Sequence, residues 1–107
     1  METIDMELII FELISRGGTA KGMAYEALAE AEKGNYEGAE ELLKEADKEL
    51  LEVHNVQTKL IQSEAAGEKN EVSILFVHAQ DHLMSAIESR NLIECMIRMH
   101  KKMDKIN

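Results

Sequence analysis

Apolar residues recur along the chain at helical rather than strand spacing, and they divide it into three blocks. The first covers about 4–33 and is interrupted at Gly17-Gly18, with Gly22 close behind. Paired glycines inside a helical pattern predict a kink or break. Beyond the pair, Ala20, Met23, Ala24, Ala27, Leu28 and Ala31 resume the spacing. Gly34 suits the position just past a helix end, and Asn35 suits the cap of the next helix. The second block runs from about 36 to 65 on a stripe of Ala39, Leu42, Leu43, Ala46, Leu50, Val53, Leu60 and Ile61. Glu37, Glu40 and Glu41 stand at its start, where the helix dipole favours acids. It ends near Ala66-Gly67. The linker GEKN follows, Asn70 is placed to cap a third helix over about 71–104, and Lys101, Lys102 and Lys105 complement that helix's C-terminus. Short loops make sequential helices antiparallel neighbours. The pattern therefore predicts an all-α, antiparallel three-helix bundle with a kinked first helix, in a single domain over 1–107.

Composition agrees. Among 107 residues there is no proline and only four are Tyr or Phe, which favours helix over sheet. The net charge of −9, from 21 acidic and 12 basic residues, argues against a nucleic-acid backbone or an anionic membrane surface as partner. The apolar stretch LIIFELI at 8–14 is too short to span a bilayer, and no basic segment precedes it, so a cytoplasmic protein is expected. Cys95 is the lone cysteine; it cannot form an internal disulfide, fits a reducing compartment, and reads as a small buried apolar group. The segment ALAEAEKGNYEGAEELLKEA echoes a tetratricopeptide repeat, but a stable array needs about three repeats.

The third block has more than one face. At roughly 100° per residue, Val72, Leu75, Phe76, Ala79, Leu83, Ala86, Ile93 and Ile97 share one broad side, enough to pack on the other helices. His78, Asp81, His82, Ser85 and Ser89 share a second side, with Ile74, Leu92, Met96, Met99 and Met103 above and below them. A monomer would leave that second apolar strip in water; symmetric self-association is the simplest cover. Copies of Asp81 near a symmetry axis would repel one another unless protonated or bridged by a hard cation.

The stretch HAQDH carries the candidate chemistry. A zinc site on His78 and His82 lacks further ligands, since His54 and His100 are isolated and Ala79 stands where a zincin needs Glu. Nothing suggests a Ser-His-Asp set, a phosphate-binding glycine loop or a paired-carboxylate pocket. A phosphoryl carrier remains. Neutral imidazole, with an ordinary pKa of about 6.5, is a good nucleophile near neutrality, and a second imidazole one turn away can donate to phosphoryl oxygens. The competing reading is a polar strip that merely fixes the register of an assembly, that is, a non-enzymatic helical interaction protein with a structural metal ion.

The chain resembles the IIA components of the lactose/cellobiose (chitobiose) family of bacterial sugar phosphotransferase systems. The resemblance rests on the glycine pair at 17–18, on AEKGNYEGAEELLKEADKELLEVHNVQTKLIQSEAAGE, and above all on LFVHAQDHLMSAI at 75–87. It implies a homotrimer with the third helices around the axis. It implies phosphorylation of His78 on Nε2 by the phosphohistidine of HPr, and onward transfer to a cysteine of the cognate IIB component, which phosphorylates a β-linked disaccharide as it crosses through IIC; the membrane is met only indirectly. It implies one magnesium ion shared by three copies of Asp81, and supporting roles for Gln80 and His82. A histidine phosphotransfer domain of a phosphorelay is the related alternative, but that family has a lysine three residues after its histidine, where this chain has Asp81.

Overall fold

In the computed structural model, which describes residues 5–106, the chain folds into three long helices: α1 (Met6–Glu32), α2 (Tyr36–Ala65) and α3 (Ile74–Ile106). The expected first-helix start at 4 lies outside the described residues. No strand occurs among the described residues, and none of their helices is long and apolar enough to cross a membrane.

The helix ends follow from local chemistry. The Asp5 carboxylate accepts from the backbone amides of Glu7 and Leu8 at 3.1 and 3.2 Å, which satisfies two of the otherwise unpaired N–H groups of the first turn. The Asn35 side chain does the same for Gly38 at 3.1 Å. Gly34 and Gly67 turn the chain out of α1 and α2 at φ of +87° and +95°, a conformation that costs a side chain its Cβ clearance. The cap of α3 differs from the expectation. Ser73, not Asn70, receives the Phe76 amide on its hydroxyl, at 3.1 Å. The Asn70 amide instead donates to Ser63 Oγ at 3.4 Å, back across the loop to α2. The helix therefore begins three residues later than the spacing suggested and runs on to Ile106.

The particle is elongated, 58 × 23 × 18 Å. Helix α1 packs against both neighbours, whereas α2 and α3 meet each other at few points. One core cluster joins Ile9 and Leu13 to Val53, Leu60, Phe76, Ala79 and Leu83. The other joins Ala24, Ala27 and Ala31 to Ala39, Leu43, Ile93 and Ile97. Leu13, Leu83 and Val53 are the largest fully buried side chains; each such burial stabilises by about 1.5–3 kcal/mol. Small residues along α1 let the helices approach closely. Gly17 is buried, and a Cβ there would stand 3.7 Å from the Leu83 Cα. Helical structure continues through Gly17-Gly18, so the interruption in the pattern is not a break.

The apolar stripes are mostly inside, with three exceptions. Val72 precedes α3 and is 69% exposed, Leu75 sits in its first turn at 55%, and Ile61 lies on the open side of α2 at 66%. Leu60 and Phe76 beside them are buried against Ile9, so these three lie at the outer edge of the covered side. Cys95, expected to be buried, is exposed, on the side of α3 that the other two helices leave open.

Candidate functional site

Burial of Phe76, Ala79, Leu83 and Ala86 fixes the rotation of α3 about its axis. That rotation leaves His78, Asp81 and Ser85 exposed and His82 half-buried. The two imidazoles stand edge to face, with ring centroids 5.3 Å apart and planes at 71°. The helix spacing alone brings this about, because residues four apart project side by side. The HAQDH histidines and the aspartate therefore gather on one open side, as the spacing indicated.

Gln80 does not join them. It lies about 200° around the helix from His78, half-buried, and its Oε1 accepts from Gln57 Nε2 of α2 at 2.6 Å. It lines a hollow of about 180 Å³ with Met6, Leu60, Val72 and Phe76. Within one chain its contact is with α2, not with the histidines.

Two residues reach the motif that periodicity did not single out. One is Gln57. The other is Lys21 of α1, whose Nζ donates to Ser85 Oγ at 3.0 Å. Both contacts span long stretches of sequence and depend on which helices become neighbours, so no local signal announces them.

The second apolar strip is uncovered. Ile74, Leu92, Met96, Met99 and Met103 are all roughly half or more exposed, on the same side as Asp81. The three methionines, with Leu28, Glu32 and His100, line an open groove of about 340 Å³ between α1 and α3.

A carboxylate oxygen is the right kind of donor for a hard divalent cation. No group of three or more His, Cys, Asp and Glu is close enough to hold a metal among the described residues. The donor chemistry fits, but a site at Asp81 needs carboxylates from other copies of the chain.

An accessible imidazole with a second imidazole beside it, on the open side of a long helix, suits transfer between macromolecules better than capture of a small substrate. Comparison with known proteins agrees. The family described as "PTS system, Lactose/Cellobiose specific IIA subunit" matches residues 8–101. The lichenan-specific phosphotransferase enzyme IIA component of Bacillus subtilis (strain 168) is 45% identical over 98 residues, covering 92% of this chain and 89% of that protein. The crystal structure of the PTS cellobiose-specific enzyme IIA from Bacillus anthracis superposes with a TM-score of 0.93 at 42% identity, over 99% of this chain and 97% of that one. The IIA(chitobiose) chain solved in complex with HPr, from the Escherichia coli phosphotransferase system, gives a TM-score of 0.82 at 37% identity, over 95% and 99%. The chain belongs to the lactose/cellobiose-specific IIA family of the sugar phosphotransferase system.

Proposed function

We propose that the chain is a cytoplasmic phosphoryl carrier that holds its phosphoryl group on His78 Nε2. The observation that carries this reading is the exposure of His78 on α3 with the His82 ring set against it at 5.3 Å. The Nε2 lone pair attacks the phosphorus of phospho-HPr, the P–N bond to the HPr histidine breaks, and that imidazole leaves with the bonding electron pair. A cysteine thiolate of the cognate IIB component then attacks the same phosphorus and restores His78. IIB passes the group to a β-linked disaccharide of the lactose, cellobiose or chitobiose type as it crosses through IIC. The chain itself meets neither sugar nor membrane.

What α3 supplies is placement and electrostatics. His82, with a ring N–H, is in position to support the charge on the phosphoryl oxygens. Gln80 plays a supporting part through its hydrogen bond to Gln57, which ties the motif's helix to α2. HPr as donor is supported by the related IIA(chitobiose) chain in complex with HPr.

The uncovered strip on α3 supports a homotrimer with the third helices around the axis. There the copies of Asp81 come together, and the donor chemistry fits one magnesium ion shared among three carboxylates, which offsets their repulsion. A non-enzymatic interaction protein would present the same strip without chemistry. A phosphorelay histidine domain would need a cation where Asp81 stands.

The direct test is incubation with phosphorylated HPr. The carrier takes up about one acid-labile phosphoryl group per chain; an interaction module takes up none.

A further inference from the structure

We infer that Lys21 is a built-in counter-charge for Asp81, a positioning residue that lets three like-charged carboxylates share the axis of the assembly. The inference rests on the trimer reading above. Lys21 is half-buried on α1, and its ammonium reaches across to Ser85 Oγ at 3.0 Å. Ser85 is one turn beyond Asp81 on α3, so their Cβ atoms are about 6 Å apart. An ammonium has three donors, and the hydroxyl occupies one. The ammonium and the carboxylate form no direct ion pair within one chain; the charge stands about one helix turn from Asp81, on a flexible four-carbon stem.

The neighbouring cations are committed elsewhere. Arg16 pairs with Glu12 of its own helix and Glu49 of α2, and Arg90 with Glu94 of its own helix and Asp47 of α2. Lys21 is thus placed to meet the open side of α3 at the level of the motif. When copies of Asp81 converge, their mutual repulsion grows as water is excluded, and a cation one turn away becomes worth more than at an open surface. Lys21 and a divalent ion would then do the same electrostatic work, and loss of one raises the need for the other.

The test is assembly by analytical ultracentrifugation in the presence of a chelator, in two backgrounds. Lys21→Met should raise the concentration at which half the chains are assembled at least tenfold when Asp81 is present, and less than twofold when Asp81→Leu removes the carboxylate. Lys21→Arg should restore assembly to within about twofold of the parent. Ser85→Ala, which removes the hydroxyl but not the charge, should also stay within twofold. An equal effect of Lys21→Met in both backgrounds, no effect in either, or a Ser85→Ala defect as large as that of Lys21→Met would overturn the inference while leaving the trimer standing. A parent chain that sediments as a monomer would remove the trimer reading and this one with it.

Discussion

His78 and His82 meet edge to face, 5.3 Å between ring centroids, on the open side of α3. In the carrier reading His78 is the nucleophile and His82 its support. His78→Gln should abolish phosphoryl uptake and leave helicity and assembly unchanged. His82→Ala should retain uptake but slow it on the order of a hundredfold, the effect of losing one aimed donor. Rapid-quench measurement of transfer from phospho-HPr, beside circular dichroism, checks both. Uptake at the normal rate by His78→Gln would take His78 out of the mechanism.

Asp81→Leu should keep or strengthen assembly. A buried group of like charges is costly, and apolar replacements of similar size are often neutral or stabilising. Sedimentation as monomers would contradict an axial position for Asp81.

Removal of divalent ions should weaken the parent assembly, because the carboxylates then lose a shared cation. Thermal unfolding with and without chelator reads this. An unchanged midpoint would count against the ion.

Ser73→Ala should destabilise the chain by about 1 kcal/mol, and Asn70→Ala by less, since Ser73 holds the first-turn amide of α3. Denaturant titration distinguishes them. The reverse order would restore the earlier helix start.

Tyr36 links α2 to the end of α3, hydrogen-bonding to Asp104 and, at 2.7 Å, to His100 Nδ1. The hydrogen bond to Asp104, then burial, pushes its phenol up to about 12. A pKa raised on folding contributes stability that is present below the unfolded value of about 10 and is lost as pH rises towards 12. Tyr36→Phe should therefore flatten the stability profile across that window, as followed by unfolding at each pH.

Much of the fold was legible because one helix stripe meets another. Ala24, Ala27, Leu43, Ala46, Val53, Leu83 and Ile93 are buried and lie on helical spacing. Asn35 and Gly34 announced the α1–α2 turn through their own chemistry. Asn70 misled because an amide suits both a cap and a loop contact, and the contact with Ser63 prevailed. Val72 misled because the helix starts only after it, and Leu75 because spacing cannot say how much of a broad apolar side is covered. The motif's open side could be read from α3 alone. The ties of Gln80 to Gln57, Ser85 to Lys21 and Tyr36 to His100 could not, since each depends on how two different helices pack together.

The measurement that bears most directly on the carrier reading is the location of the phosphoryl group after reaction with phospho-HPr, by phosphorus NMR and peptide mass spectrometry under alkaline conditions. The account predicts a single phosphoramidate on Nε2 of His78. A label on His82, His54, His100 or any other side chain would contradict it.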